Sequence, residues 1–246
     1  MADHAPDPAG QARHGPRLTG ERAIATDEEA AAEAARAKAD AIEAGRLLFA
    51  AECRFFYAAQ SLDQLPPPGK PEVAFAGRSN VGKSSLINAL TGQRALARAS
   101  SRPGRTKQLN FFDLGGRLVL VDMPGYGYAE AARSVKEDWQ GLMFEFLRGR
   151  PTLRRIVLLL DARIEVKPAD IAVLDLLDRA AVTYHLVLTK ADSVKPAALA
   201  RKQDEIAAIA RKRPAAHMGL ITTSSETGLG IAELRAALAE VAAPVA

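Results

Sequence analysis

Gly77-Arg78-Ser79-Asn80-Val81-Gly82-Lys83-Ser84 follows the apolar run Val73-Ala74-Phe75-Ala76 and opens into Ser85-Leu86-Ile87-Asn88-Ala89-Leu90, whose apolar residues recur at helical spacing. Strand, glycine loop and helix in that order are the context a phosphate-binding loop requires. Successive backbone N–H groups must turn inward around phosphate oxygens there, and glycine tolerates the backbone angles and the close approach. Lys83 can reach the β- and γ-phosphates, the Ser84 hydroxyl can ligate Mg²⁺, and the helix N-terminus adds the positive end of its dipole. The alternative, a chance glycine turn before a helix, is disfavoured because all four fixed positions are present and correctly flanked.

Downstream, Arg94 to Gln108 shows no apolar period, carries Arg94, Arg98, Arg102, Arg105 and Lys107, and is broken by Pro103-Gly104. It ends at Thr106, just before the strand-like Leu109-Asn110-Phe111-Phe112. A mobile loop here can bring the Thr106 hydroxyl to Mg²⁺ when a γ-phosphate is present and release it afterwards. Its basic residues read equally as a solvated loop or as a nucleic-acid contact. The strand Leu118-Val119-Leu120-Val121 delivers Asp122-Met123-Pro124-Gly125. Asp122 at the carboxyl end of a buried strand can hold Mg²⁺ through water, and Gly125 can offer its N–H to the γ-phosphate. Gly125-Tyr126-Gly127-Tyr128 reads as a second mobile loop, and Trp139, Leu142, Met143, Phe146 and Leu147 restore a helical period.

Arg155 to Asp161 is a nearly continuous apolar strand, as a parallel sheet covered on both faces demands. A helix is expected from about Pro168 to Ala181, then a strand His185-Leu186-Val187-Leu188 ending in Thr189-Lys190-Ala191-Asp192. Asp192 can accept from the N1–H and exocyclic amine of guanine together, which adenine cannot reciprocate, and Lys190 can lay its stem along the base and reach the phosphate loop. After a helix from Ala197 to Lys212, a last strand around Leu220-Ile221-Thr222 ends in Thr223-Ser224-Ser225, whose hydroxyls and N–H groups can contact the guanine carbonyl; Ile231 to Val241 closes the domain. Taken alone, the serine pair is a common helix cap.

Upstream the signals weaken. Residues 1–25 are rich in Pro, Gly and polar groups and are expected to be disordered. Residues 26–50 form an Ala-rich helical extension, with Thr26-Asp27-Glu28-Glu29 spaced as a capping box, and its alanine face predicts a helix that is exposed or loosely held. Leu47, Leu48, Phe49, Phe55, Phe56 and Tyr57 should pack on the domain, partly as an edge strand, before Leu65-Pro66-Pro67-Pro68-Gly69 leads into the core of a domain spanning 51–246. The 246 residues, 48% hydrophobic and 25% charged, suit a soluble globular chain with no apolar anchor. The single cysteine, Cys53, excludes an intrachain disulfide and reads as a buried apolar residue, and His4, His14, His185 and His217 have no ligand-type neighbours at zinc spacing. These features predict a cytoplasmic monomer, and a net charge of +4 leans weakly toward polyanionic partners.

Gly77-Arg78-Ser79-Asn80, Arg102-Pro103-Gly104-Arg105-Thr106, Asp122 to Ala129 (DMPGYGYA) and Thr189-Lys190-Ala191-Asp192 together resemble the EngB-type ribosome-biogenesis GTP-binding proteins, within the translation-factor class of P-loop GTPases. The resemblance covers about Phe55 to Val241. It implies a P-loop α/β fold with a mostly parallel sheet and helices on both faces, and binding of GTP and GDP with Mg²⁺. It also implies a role in assembling the large ribosomal subunit and a requirement in division and septation. Where many Ras-like GTPases place a water-orienting glutamine, this chain has Tyr126, so hydrolysis that is slow without a partner or cation is expected. Related GTPases with an asparagine at the Asn80 position can use K⁺, which makes Asn80 a candidate ligand, beside a purely loop-stabilising role. Thr189 stands where asparagine is commoner in the wider class. The competing reading is a nucleotide-bound docking module of the division machinery without a ribosomal role.

Overall fold

The computed structural model describes residues 21–97, 108–127 and 143–243, with side chains from Glu28 onward. Gly104, Thr106 and Tyr128, together with most of both expected mobile loops, lie outside the described residues. The chain divides into two units, Met1–Ala39 and Asp40–Ala246. Helix α1 (Glu21–Phe49) begins in the first and ends in the second. It starts before Thr26, so the capping-box spacing there falls inside a helix: Ala, Glu and Arg are all good helix formers and nothing in Glu21 to Ala25 stops the helix. From Glu28 to Ala39 every side chain is exposed, as an alanine face with little area to bury would be.

The second unit is built on a seven-stranded sheet of order β1-β3-β4-β2-β5-β6-β7. Its strands are β1 (Cys53–Ala59), β2 (Glu72–Gly77), β3 (Leu109–Leu114), β4 (Leu118–Asp122), β5 (Leu153–Asp161), β6 (Tyr184–Thr189) and β7 (Ile221–Thr222). β4, β2, β5, β6 and β7 run parallel, while the β1–β3 and β3–β4 pairs are antiparallel. The helices are α2 (Lys83–Thr91), α3 (143–149), α4 (Pro168–Ala180), α5 (Pro196–Ala210) and α6 (Ile231–Ala242).

The two-residue period of the central strands sorts their side chains between two cores. Val73, Phe75, Val157 and Leu159 pack with Leu48, Phe49, Leu86, Ile87 and Leu234 on the α2 and α6 side. Ala74, Ala76, Ile156, Leu158 and Leu160 pack with Met143, Phe146, Leu174 and Leu177 on the α3 and α4 side. With both faces covered, the central strands read as unbroken apolar runs.

Two local devices fix how the edges meet. Arg150 donates through Nε and Nη2 to Glu72 (2.6–3.1 Å) and through Nη1 to the Pro66 carbonyl (2.7 Å), all buried, which ties the proline-rich linker to the start of β2. Arg235 on α6 donates to the Leu90 and Ala89 carbonyls (2.9 and 3.2 Å), satisfying the last turn of α2. Leu48, Phe49 and Cys53 are buried as expected, and burial pushes the Cys53 thiol up to about 12. Phe55, Phe56 and Tyr57 lie on an edge strand, as expected, but are 54%, 45% and 39% exposed. A bulge between Phe55 and Tyr57 turns the strand, and each ring rests one side on Phe111 or Phe112 and leaves the other to solvent.

Candidate functional site

The phosphate loop joins β2 to α2 across the middle of the sheet, at the carboxyl ends of the parallel strands where the order reverses. Gly82 has φ 103° and forms the N-cap of α2, a conformation that glycine adopts without a Cβ penalty. Asn80 has φ 65°, in the left-handed region that asparagine visits more readily than other residues with a Cβ. The Asn80 backbone carbonyl accepts a hydrogen bond from Lys190 Nζ at 2.6 Å.

Lys83 opens α2 and its Nζ donates to the Asp122 carboxylate in a contact nearly closed to solvent. Ser84 follows on the same turn and Asp122 ends the neighbouring strand β4. A hydroxyl and a carboxylate are hard oxygen donors of the kind Mg²⁺ takes beside phosphate oxygens, so the residues present fit that ion. They would hold it through the Ser84 Oγ and, by way of water, Asp122. No group of three or more His, Cys, Asp or Glu gathers among the described residues, so the protein donors here depend on phosphates to complete a coordination sphere.

The base end is organised from β6. The Thr189 hydroxyl donates to the Val81 carbonyl (2.7 Å) and is 3.3 Å from the Leu160 carbonyl, so threonine at this position spans from β6 to the phosphate loop in place of an amide. Lys190, at φ 59°, also donates to Asp161 Oδ2 at 2.8 Å, and Arg163 holds the same carboxylate through two further bonds of 2.9 Å. Burial alone would raise the Asp161 carboxyl, but the hydrogen bonds from Arg163 and Lys190 overcome it and bring it to about 2.

Asp192 is exposed and is aimed by two hydroxyls, Ser224 (2.5 Å) and Ser193 (2.9 Å), which hold its carboxyl below the usual range, the Ser224 bond being the larger cause. Its desolvation therefore begins only when a base covers it. Thr223 is fully buried with its hydroxyl donated to the Leu188 carbonyl (2.8 Å), so its side chain braces the loop. Ser224 is buried too and accepts from Glu226 and Thr227 N–H (3.3 and 3.2 Å), which leaves Ser225 as the partly exposed hydroxyl of the three.

On the γ-phosphate side, Gly125 lies against Ser79, where a Cβ would stand 3.0–3.1 Å from Ser79 Oγ, N and Cα. Tyr126 is 6% exposed, within the α3 and α4 core, and its hydroxyl donates to Asp170 Oδ1 at 3.0 Å. Burial, then the Asp170 charge, push the phenol far up, so it remains a donor. In this arrangement the residue that replaces the glutamine is engaged elsewhere. Arg78 lies along Gly127 and lines a cavity beneath the loop. Sequence reasoning passed over Asp161, Arg163 and Asp170. Asp161 carried a usable signal, an acidic residue ending a buried strand as Asp122 does, whereas Asp170 sits inside an ordinary helical first turn.

These features define a P-loop guanine-nucleotide-binding fold. Residues 72–190 match the family model described as 50S ribosome-binding GTPase. A "Probable GTP-binding protein EngB" of Granulibacter bethesdensis is 69% identical over 199 residues, 81% of this chain and 89% of that protein. Its counterpart of the same name from Gluconobacter oxydans is 68% identical over 83% of this chain and 90% of the other. Among solved structures, a "probable GTP-binding protein engB" superposes with TM-score 0.56 at 25% identity, over 70% of this chain and 98% of that one. The chain belongs to the EngB family of GTP-binding proteins.

Proposed function

We propose that this protein is a GTP-driven assembly factor of the large ribosomal subunit, acting in the cytoplasm and needed through that role for division and septation. The observation that carries this reading is the pairing of a braced guanine end with a phosphate end where Lys83 is bonded to Asp122 beside Ser84. A site that only held nucleotide for structure would not need Lys83, Ser84 and Asp122 gathered beside the Gly125 turn. The family description, a ribosome-binding GTPase, supports the ribosomal part.

In hydrolysis, water attacks the γ-phosphorus of GTP and GDP leaves with inorganic phosphate. Mg²⁺, when bound, neutralises charge on the β- and γ-phosphates. Lys83 gives up Asp122 for phosphate oxygens and stabilises the same charge. Asp192 and Ser224 fix the base, Thr189 and Lys190 fix the loop, and the Gly125 N–H meets the γ-phosphate once Gly125 moves away from Ser79. No side chain among these abstracts a proton from water, and Tyr126 is bound to Asp170, so hydrolysis is slow until a partner or a cation such as K⁺ near Asn80 completes the site. In this reading the Thr106 hydroxyl, from the basic loop that carries Gly104, would meet Mg²⁺ when the γ-phosphate is present. No helix among the described residues is long and apolar enough to cross a membrane.

The test is co-sedimentation with large subunits and their precursors in GDP or a non-hydrolysable GTP analogue, with hydrolysis followed in K⁺ and in Na⁺. Stronger binding in the GTP state, with faster hydrolysis on the subunit, is expected. Absence of binding in both states would favour a docking module of the division machinery.

A further inference from the structure

Residues 125–127 are fastened twice, once to the phosphate loop and once to α4. Tyr126 N–H donates to the Gly77 carbonyl (3.2 Å) and Ser79 N–H to the Tyr126 carbonyl (3.0 Å), so Tyr126 runs parallel beside Arg78 as a single bridge. The second fastening is the buried bond from the Tyr126 hydroxyl to Asp170 Oδ1. Asp170 is 2% exposed, and its other oxygen accepts the Lys167 N–H at 2.8 Å, closing the first turn of α4.

Asp170 and Arg78 line one cavity of about 200 Å³ beneath the phosphate loop. Arg78 Nη1 is buried and has no hydrogen-bond partner among the described residues, an unusual state for a guanidinium nitrogen. Two groups that share this cavity are therefore unequal: Asp170 is satisfied through Tyr126, and Arg78 has a donor to spare.

We propose that Tyr126 and Arg78 are alternative partners of Asp170, and that the exchange between them sets the preference of the site for GDP against GTP. Gly125 must leave Ser79 for its N–H to reach a γ-phosphate, and Tyr126, the next residue, is drawn with it. Its hydroxyl then leaves Asp170, and a buried carboxylate stripped of that partner would oppose the movement. Arg78 removes the opposition by donating Nη1 to the vacated Oδ1, so each state has its charge paired and the intermediate does not. Tyr126 thus favours the GDP arrangement and Arg78 the GTP arrangement. Both are positioning residues, since neither needs to touch the nucleotide with its side chain.

This rests on the reading that the pocket binds guanine nucleotide, and the test separates the two. Affinities of the full chain for GDP and for a non-hydrolysable GTP analogue are measured by titration calorimetry for wild type, Tyr126→Phe, Arg78→Met and Arg78→Lys. Tyr126→Phe should move the ratio of the two affinities toward the analogue by about tenfold. Arg78→Met should move it toward GDP, and Arg78→Lys, which keeps a charged donor, should recover part of that change. A purely structural role would lower the melting temperature and leave the ratio unmoved. An unchanged ratio in Tyr126→Phe, or a shift in the same direction for Tyr126→Phe and Arg78→Met, would overturn the exchange. Wild type binding neither nucleotide would instead overturn the guanine-nucleotide reading.

Discussion

At the base end of the pocket, Thr189 is bonded to the Val81 carbonyl, Lys190 to Asp161 and Ser224 to Asp192, and in the account proposed above a guanine meets Asp192 without displacing these bonds. At the phosphate end, Lys83 is bonded to Asp122 and Tyr126 to Asp170, and arriving phosphates compete for the first bond and strain the second. The same sheet supports both. The difference lies in what stands behind each strand end: β6 is backed by β5 and by β7, whose following Thr223 N–H donates to the Leu188 carbonyl, whereas β4 gives way after Asp122 to a loop that leaves the sheet, held among other contacts by backbone bonds to Phe75, Gly77 and Ser79 and by the Tyr126 phenol. A switch needs this asymmetry, because one end must hold the ligand while the other reports which phosphate is present.

The largest effect should come from breaking the base end chemically. Asp192→Asn removes the acceptor for both guanine N–H donors, so GTP affinity should fall about 100-fold and xanthosine triphosphate should become the better ligand. Because the phosphate end is untouched, the GDP to GTP-analogue ratio should stay at its wild-type value, and the change should add to that of Tyr126→Phe. Unchanged GTP affinity in equilibrium titration would remove this account of base recognition. A smaller effect is expected where the two ends touch. Thr189→Val leaves the Val81 carbonyl without its 2.7 Å donor and should weaken GDP and GTP alike by about tenfold, through a loosened loop; selective loss of one nucleotide would place the switch on the wrong side of the site.

A separate effect, on stability and not on affinity, concerns what supports β6. His185 is buried on that strand, with the His217 ring 4.0 Å away, and burial, then His217 and Arg155, bring it down to about 3. The unfolded chain therefore binds a proton near pH 6.5 that the folded chain refuses until about pH 3, so stability falls as pH drops through that window, by at most about 1.4 kcal/mol per pH unit. Asp161, brought to about 2, adds its own loss only below its unfolded value of 3.8. Between pH 6.5 and 4 the slope of melting temperature against pH should thus flatten in His185→Gln; an unaltered slope would assign it to another group.

Much of this was readable in advance because a parallel sheet buried on both faces writes its strands as apolar runs, and each run here ends in residues with chemistry: Gly77, Asp122, Asp161, Thr189 and Thr223. The phosphate loop, Asp122, Lys190 and Asp192 are placed by those runs alone. What escaped is long-range or edge-dependent. The Tyr126–Asp170 bond joins residues 44 apart, and nothing in Pro168-Ala169-Asp170 distinguishes a latch from a helical first turn. Phe55 to Tyr57 are expected to pack on the domain partly as an edge strand, but how much of each ring a bulged sheet edge leaves uncovered is not written in their composition. An alanine, glutamate and lysine pattern specifies helix without specifying where it starts, which is why α1 begins ahead of its apparent cap.

The contrast between the two ends is tested most directly by amide hydrogen exchange on the full chain saturated with GDP and then with a non-hydrolysable GTP analogue. The amides of Ser79 and Tyr126, which bond each other's segment, should change protection between the two states, while those from Val187 to Asp192 stay protected alike in both. Equal protection of residues 122–127 in the two states, or a change confined to 187–192, would contradict a fixed base end and an exchanging phosphate end.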